Sequence, residues 1–246
     1  MSRLQAAGTH LLISFAIACS VVFLIKLVLY PDYYFQLSGG FGLLLLIIGV
    51  DVTVGPLLTL IVYKQEKKTL IFDLAVIAVL QVAALAYGVY AVWVSRPVYN
   101  VFVIDRFSVV APVNIEKGNL EKAALEYKNF SWYGPRLVSA ELPSKAEEQL
   151  QITFSALLGA DIETYPQYYV PFESKKVQVA EKSKPLSDLR GKTPKASKLI
   201  DGFLRRQKGR EEDYRYLPIK GFSPDSMSMI VTTDGTPVTA LAIDPW

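Results

Sequence analysis

The sequence contains one histidine, His10, and one cysteine, Cys19, and this scarcity excludes several kinds of site. Structural zinc takes four Cys or His ligands and catalytic zinc usually takes at least one His, so no Cys/His zinc site can be built. A Ser-His-Asp or Cys-His catalytic group would have to use His10, which borders an apolar run. One cysteine cannot form an intramolecular disulfide. Any catalysis would have to use carboxylates, Lys, Tyr or a cofactor, and the sequence shows no Gly-rich phosphate loop or paired-carboxylate spacing above chance. We therefore expect no metal site, no cofactor and no enzymatic activity.

Charge is also scarce in the first part of the chain. The 246 residues include 26 Lys and Arg and 23 Asp and Glu, and forty of these charged residues follow residue 94. Residues 1–94 are therefore predicted to form a hydrophobic domain and residues 95–246 a polar domain of ordinary size. The net charge of +3 is too small to indicate a polyanionic partner, so nucleic-acid binding is not predicted.

Three apolar runs lie in the first domain, at about residues 11–30, 41–63 and 70–94. Crossing a bilayer takes roughly 20 apolar residues in a helix. The runs have almost no polar face, whereas the helices of soluble proteins normally alternate apolar and polar stripes. The sequence therefore predicts three transmembrane helices in contact with membrane lipid.

The connections between these runs predict their orientation. Lys64, Lys67 and Lys68 lie in the second connection, and basic residues in short loops mark the cytoplasmic side. Residues 31–40 contain no Lys or Arg and begin with an aromatic cluster, which is typical of the opposite interface. This pattern predicts a cytoplasmic N-terminus and an extracytoplasmic C-terminal domain.

Polar residues within the runs are the candidate functional residues, because ionisable groups in hydrocarbon are costly. Asp51 lies near the middle of the second run, and Gln81 lies at a similar depth in the third, so a hydrogen bond between them is expected. A structural role and a partner contact are both open for Asp51. Lys26 lies one turn before Tyr30, and an interfacial anchor is its favoured interpretation. Asp73 lies near the cytoplasmic end, beside Lys67.

Gly55 and Pro56 are expected to kink or open the second helix. Proline lacks the amide that would bond to the Val52 carbonyl, so that carbonyl needs another partner, such as Thr53, Thr59 or a neighbouring helix. The candidate partner-binding residues are Asp51, Gln81, Gly55, Pro56 and Lys26.

Two other functions are conceivable for the polar residues of the apolar runs. A small transporter or channel subunit could use Asp51 as an ion site, but three spans would require oligomers. An aspartyl protease dyad of Asp51 and Asp73 is excluded, because their depths differ by roughly 12 Å at 1.5 Å per residue.

The second domain has an α+β pattern. Two runs rich in Val and Phe, residues 98–104 and 107–113, predict a hairpin turning at Asp105-Arg106. A helix is expected over residues 120–130. Residues 214–219, 227–233 and 236–243 predict further strands, with Asp234-Gly235 as a two-residue turn.

Between these strands the sequence predicts two more helices and a linker. Ser144 and Glu147 form a capping-box pattern for a helix to about Leu158, with Leu150, Phe154, Leu157 and Leu158 on its apolar face. Residues 173–192 are read as a polar linker. Thr193-Pro194 predicts the start of a helix with an apolar stripe of Leu199, Ile200, Phe203 and Leu204.

A basic tract spans residues 175–210, with 12 Lys and Arg against three acidic residues. It is interpreted as a solvated surface, with contact to anionic lipid headgroups or to an acidic protein as the alternative. Nucleic-acid binding is disfavoured because few aromatic residues are interleaved with the basic ones.

Short motifs follow one another in a particular order along the chain. In the apolar block they are HLLIS at residues 10–14, GVD at 49–51, GPLLTL at 55–60 and DLAVIA at 73–78. Later they are RPVY at 96–99, DRF at 105–107 and DPW at 244–246. Their order and spacing resemble the type IV pilin accessory proteins of the TfpX/TfpZ family over essentially the whole chain. One departure is Val103, where an acidic residue is expected.

The resemblance implies a protein of the bacterial inner membrane with a periplasmic C-terminal domain. It implies a cognate type IV pilin as the partner, which the protein would stabilise or help to assemble as a chaperone. No enzymatic activity is attached to the family, so no catalytic residues are carried over.

Overall fold

The computed structural model of the chain describes residues 2–224 and 226–246. The chain divides into two compact units. The helical unit comprises the residues up to Phe35 together with Gly39–Arg96, and the α+β unit comprises Gln36–Ser38 together with Pro97–Trp246.

The helical unit begins with a well-capped helix. The Ser2 hydroxyl accepts from the Gln5 N–H and the Gln5 side-chain oxygen accepts from the Ser2 N–H, which satisfies two free amides at the start of α1. The helices of this unit are α1 Arg3–Leu24, which continues as a π-helical turn Ile25–Leu29, α2 Tyr34–Leu37, whose last residues belong to the other unit, α3 Gly40–Gly49, α4 Gly55–Val62 and α5 Leu70–Val94.

A π-helical turn, Val50–Val54, joins α3 directly to α4, and we call these three segments together the middle helix. The turn lies immediately before Gly55 and Pro56, so the predicted irregularity is present as a widened helical turn. Insertion of one residue into the helical register is a common response to a missing or displaced backbone hydrogen bond.

Within the described residues, two helices are long and apolar enough to cross a membrane, Arg3–Leu29 and Leu70–Val94. They correspond to the first and third predicted spans. The middle helix is interrupted by the π-helical turn, and its apolar portion Asp51–Val62 is shorter than a span. The second predicted span, residues 41–63, therefore stays a prediction.

The α+β unit is built on a mixed sheet, with eight strands among the described residues. The strand order is β4-β3-β1-β2-β6-β7-β8, with β5 paired to β6. The β1–β3 and β2–β6 pairs are parallel, and the other pairs are antiparallel. The strands are β1 Tyr99–Val103, β2 Arg106–Val110, β3 Arg136–Ala140, β4 Tyr169–Pro171, β5 Lys184–Pro185, β6 Tyr214–Lys220, β7 Met227–Thr232 and β8 Pro237–Leu241.

The two predicted hairpins are present, but the turn of each differs from the prediction. β1 and β2 turn at Ile104-Asp105, because Arg106 already pairs with Val103. β7 and β8 are joined through a loop at residues 233–235 rather than a two-residue turn, since the Thr232 N–H donates to the Thr236 carbonyl. Gly235 in this loop has a φ of +88°, which favours glycine.

The described part of the α+β unit also contains six α-helices, and several differ from the prediction. The helix expected over residues 120–130 is divided, because Ala123 and Ala124 have extended backbone. The helices are α6 Lys117–Lys122, α7 Leu125–Lys128, α8 Ala146–Leu157, α9 Lys176–Lys182, α10 Leu186–Arg190 and α11 Pro194–Gln207.

The prediction for α8 is wrong in two respects. Lys145 caps the helix without a side-chain hydrogen bond, so the Ser144–Glu147 capping box does not form. The predicted apolar face is exposed: Phe154 is 61% exposed, whereas Ile152 is only 5% exposed and packs into the core. Residues two apart lie on nearly opposite faces of a helix, so burying Ile152 turns the predicted face outward.

The predicted linker at residues 173–192 is instead folded. Val179, Leu186 and Leu189 are fully buried, and α9, β5 and α10 lie in this stretch. The following helix is confirmed: the Thr193 hydroxyl accepts from the Ala196 N–H at 3.1 Å. Ile200 and Phe203 of α11 are buried, as the apolar stripe predicted.

The short segment Gln36–Ser38 is part of the α+β unit. The Leu37 carbonyl accepts from the N–H groups of Phe222 and Ser223, each at 3.0 Å, and the Leu37 side chain is fully buried. Gly221 lies against the Leu37 backbone so closely that a Cβ there would overlap it. This segment is therefore an integral piece of the unit's core.

Candidate functional site

Polar side chains from three helices meet inside the helical unit. We call them the polar cluster: His10 and Ser14 of α1, Asp51 and Thr59 of the middle helix, and Gln81 of α5. Ser14, Asp51 and Thr59 are buried, with Asp51 only 7% exposed. Most side chains around them are apolar, so the cluster is a local exception that requires a structural or functional explanation.

Gln81 contacts Asp51 as predicted, but through a different atom. The Gln81 Nε2 donates to the Asp51 main-chain carbonyl at 3.3 Å. In a π-helical register, the N–H of residue 56 would bond to this carbonyl, and Pro56 has no N–H to donate. Gln81 thus supplies to the Asp51 carbonyl the hydrogen bond that Pro56 cannot.

Gly55 makes this contact possible. A Cβ at position 55 would overlap the Gln81 side-chain amide, whereas a Cβ at Gly49 in the same helix would meet no atom within 4 Å. The absence of a side chain at Gly55 therefore lets α5 place Gln81 against the middle helix.

Gln81 bonds to the main-chain carbonyl of Asp51 and not to its carboxylate. The Asp51 Oδ1 is buried and has no hydrogen-bond partner among the described residues. Asp51 lies at the edge of a cavity of about 180 Å³ that is also lined by His10, Ser14 and Gln81. A buried carboxylate oxygen without a donor is unfavourable, so the cavity is suited to a group that donates hydrogen bonds.

His10 and Thr59 are members of the cluster that the sequence did not predict. The His10 Nδ1 lies 2.6 Å from the Thr59 Oγ1, which links α1 to α4. The signal was present, since a lone histidine at the edge of an apolar run is unusual. Its partner lies 49 residues away, and no local spacing rule connects the two positions.

Lys26 is not in the polar cluster. Its Nζ lies 4.9 Å from the centre of the Phe35 ring, a cation–π contact. Lys26 lines a different, apolar cavity of about 470 Å³, with Phe15, Cys19 and Val22. Of the predicted partner-binding residues, the structure thus brings together Asp51, Gln81, Gly55 and Pro56 and leaves Lys26 apart.

Asp73, for which interfacial solvation is the favoured interpretation of the sequence, forms an ion pair with Lys67. Its Oδ2 lies 2.6 Å from the Lys67 Nζ. Asp51 differs in being the buried carboxylate of the helical unit, and no Lys or Arg among the described residues forms an ion pair with it.

Buried tyrosines are among the titratable groups of the α+β unit whose pKa values are shifted. Burial raises the pKa of Tyr99 to about 12, and burial also holds the pKa of Tyr169 well above its usual value. The Tyr99 hydroxyl donates to the Tyr127 carbonyl at 2.7 Å, and the Tyr169 hydroxyl donates to the Glu163 carbonyl. These hydroxyl groups serve the core, where each satisfies a backbone acceptor.

The fold is that of a protein with apolar, potentially membrane-spanning helices and a separate α+β unit. Two long apolar helices indicate anchoring in a membrane, and they precede an α+β unit with its own core. Residues 1–39, which include His10, Ser14 and Lys26, match the model of the fimbrial assembly protein FimB family.

Relatives in Dichelobacter nodosus extend this match over the chain. The fimbrial assembly protein of serogroup E1 is 30% identical over 243 residues, which are 98% of this chain and 95% of the relative. The serogroup I protein is 34% identical over 185 residues, 74% of this chain and 72% of the relative. The serogroup C1 and C2 protein is 37% identical over 121 residues, 48% of this chain and 92% of the relative. The chain belongs to the FimB family of fimbrial assembly proteins. No solved structure matches it significantly.

Proposed function

We propose that this protein is an inner-membrane accessory protein that stabilises a cognate type IV pilin or aids its assembly into pili. The observation that carries the proposal is the similarity to a fimbrial assembly protein over nearly the full length of both chains. The separate helical and α+β units suit a partner that has a membrane helix and a globular head.

The proposed topology has three spans, a cytoplasmic N-terminus and a periplasmic α+β unit. The continuity of α3, the π-helical turn and α4 supports a second span, because together they cover residues 40–62. The packing of Leu37 within the α+β unit also supports it. In the proposed topology the first connection and the C-terminal domain lie on the same side of the membrane, in agreement with this packing.

The proposed contact surface for the pilin helix is formed by Asp51, Gln81, Gly55 and Pro56. The unpartnered Asp51 Oδ1 and the adjoining cavity support this choice. Lys26 is proposed as an interfacial anchor, since its side chain is exposed and lies over Phe35. The proposed role involves binding rather than catalysis.

The role in assembly is tested by deleting the gene in a piliated cell. We expect the pilin level and the number of surface pili to fall, and to recover with the wild-type gene. Tagged protein purified from the same membranes is expected to bring the pilin with it. Unchanged pilin and pili after deletion would overturn the proposed function.

The contact surface is tested with a photocrosslinking amino acid placed at Ile13, which lines the cavity of the polar cluster. Leu12 provides the matched control, because it is exposed on α1 and does not line this cavity. We expect a crosslink to pilin from position 13 and not from position 12. Equal capture from both positions would remove the assignment of this surface.

A further inference from the structure

The chain enters the α+β unit at one end of the sheet. Pro97 is the first residue of this unit after α5, and Tyr99 begins β1. Tyr99 is paired with Val110 of the antiparallel strand β2, so β2 ends here, and β6 ends here too because it is parallel to β2. Leu37 lies at the same end, since its carbonyl accepts from Phe222, two residues after β6. We call this the entry end of the sheet.

Two exposed aromatic side chains precede β3 at the entry end. β3 is parallel to β1, and the Arg136 N–H donates to the Val98 carbonyl at 2.9 Å, so the loop at residues 131–135 lies at this end. Trp132 and Tyr133 belong to this loop and are 74% and 68% exposed. Two neighbouring aromatic rings in water are unfavourable, so this loop is suited to partly apolar surroundings.

Trp246 extends the exposed aromatic residues to the other side of the entry end. Leu241, the last residue of β8, is paired with Ser228 near the start of β7, so the chain leaves β8 at this end. Trp246 is 71% exposed and lines a cavity of about 420 Å³ with Gly221, next to the half-exposed Phe222. Five strand steps of about 4.8 Å separate β3 from β8, so the aromatic residues form a row about 24 Å long.

The opposite end of the sheet carries exposed carboxylates. Asp105 lies in the β1–β2 turn and Asp234 in the β7–β8 loop, and their side chains are 54% and 63% exposed. Glu212, just before β6, has a side chain that is 68% exposed. Carboxylates favour water, whereas tryptophan and tyrosine favour the boundary between water and lipid. The two ends of the sheet therefore suit different surroundings.

The covalent reach of the chain keeps the entry end close to the membrane. Val94 is the last residue of α5, one of the two helices that indicate membrane anchoring, and Pro97 follows three residues later. Three residues extend at most about 11 Å. The headgroup layer is roughly 5–8 Å thick on each side of the hydrocarbon core, which is comparable with this reach. Membrane lipid is therefore the apolar surface that lies within reach of the row.

We propose that the entry end of the sheet lies in the lipid headgroup layer of the membrane that anchors the protein, with Trp132, Tyr133 and Trp246 as interfacial anchors. Their rings contact the upper acyl chains, and their N–H and O–H groups bond to headgroups or water. Anchors on both sides of the row hold the α+β unit in one orientation to the bilayer surface. This inference goes beyond the proposed function, because its partner is lipid and not pilin.

The test measures tryptophan fluorescence of the full-length protein in phosphatidylcholine vesicles. The chain has three tryptophans, and Trp93→Phe removes the one in α5. One set of vesicles contains lipid brominated near the top of the acyl chains, which quenches only tryptophans in close contact with it. Trp132 and Trp246 are each measured with the other replaced by phenylalanine. We expect each to lose at least about half of its emission, because interfacial tryptophans lie at this depth.

Leu142→Trp is the matched control, in a protein whose three native tryptophans are all replaced by phenylalanine. Leu142 is 52% exposed and follows the end of β3 that is remote from the entry end. We expect its emission to be unchanged by brominated lipid and to be quenched by acrylamide in the water. Circular dichroism checks the fold of each variant. The Trp93→Phe protein keeps both tryptophans of the row and reports them together if a protein with a single tryptophan unfolds.

Emission from position 132 or 246 that is as insensitive to brominated lipid as emission from position 142 would overturn the inference. Protection of these positions from acrylamide without quenching by brominated lipid would also overturn it, because a second copy of the chain would then cover the row. Neither readout involves pilin. Failure of the lipid contact thus leaves the role in assembly standing, and failure of the proposed function leaves the lipid contact.

Discussion

Gly55 is the residue on which the contact between the middle helix and α5 depends. A Cβ at this position would overlap the Gln81 amide that supports the Asp51 carbonyl. We expect Gly55→Ala to lower the free energy of unfolding by about 1–3 kcal/mol, the usual cost of overpacking. Thermal unfolding in detergent, followed by circular dichroism, measures this loss.

Gly49→Ala is the matched control for this prediction. It adds the same methyl group to the same helix where no atom lies within 4 Å. Alanine is favoured over glycine in helices by about 1 kcal/mol, so this variant should be neutral or slightly stabilising. Equal loss of stability in both variants would show that overlap with Gln81 is not the cause of the loss in Gly55→Ala.

The residues of the polar cluster show which of its contacts can be predicted from the sequence. Asp51, Gln81 and Pro56 were predicted together, because each is unusual in an apolar run. The atom that Gln81 contacts was not predicted, since it depends on the π-helical register before Pro56. The sequence shows His10 as the single histidine but does not indicate its bond to Thr59, which depends on how two distant helices pack.

The loop between β7 and β8 is held against α9 by charge. The Asp234 Oδ2 lies 2.7 Å from the Lys176 Nζ, and Thr232 and Thr236 also donate to this carboxylate. The bond to Lys176 is the main reason that the pKa of Asp234 is lowered below its usual value. A lowered pKa in the folded state means that the carboxylate stabilises the fold above about pH 4 and loses this effect as the pH falls further.

Asp234→Asn is therefore expected to lower the melting temperature at neutral pH, with a difference from wild type that shrinks below about pH 4. Melting temperatures measured from pH 7 to pH 2.5 check this. Glu181→Gln on α9 is the control, because Glu181 is exposed and forms no ion pair among the described residues. A difference that stays constant with pH would contradict the assignment to the carboxylate.

α8 contacts the core through a face different from the predicted one. Ile152 packs into the core with Tyr127 and Tyr169, whereas Phe154 is largely exposed. Ile152→Ala should lower the free energy of unfolding by about 2–5 kcal/mol, and Phe154→Ser should change it by less than about 0.5 kcal/mol. Tryptophan fluorescence during chemical unfolding distinguishes them, and a larger effect at Phe154 would restore the original assignment.

The strands of the two hairpins and β6 are predicted by the sequence, whereas β3, β5 and the helices within residues 173–192 are not. β6 and the two hairpins are marked by runs of Val, Ile and Tyr, and these signals are local. Residues 173–192 have few apolar side chains, separated by charges, so they resemble a linker. Val179, Leu186 and Leu189 nevertheless fill the core. Their burial depends on contacts with distant strands, which no short window of sequence contains.

The proposed topology can be tested by labelling single cysteines. Cys19 is the chain's one cysteine and is replaced by serine first. Cysteines are then placed at Gln36, Lys68 and Glu181, which are all exposed. With three spans, a membrane-impermeant maleimide added to spheroplasts should label positions 36 and 181, and position 68 only after permeabilisation. Labelling of positions 36 and 68 from the same side would exclude a crossing by residues 41–63.

The α+β unit is not one continuous stretch of sequence, and this has a consequence for its synthesis. Leu37 leaves the ribosome long before Phe222, to which its carbonyl is bonded. The last strands therefore complete a core whose earliest piece was synthesised long before them. A fragment starting at Pro97 lacks that piece. In the proposed three-span topology, a chain inserted in the wrong orientation would hold the piece on the wrong side of the membrane, so correct insertion would be a precondition for finishing the fold.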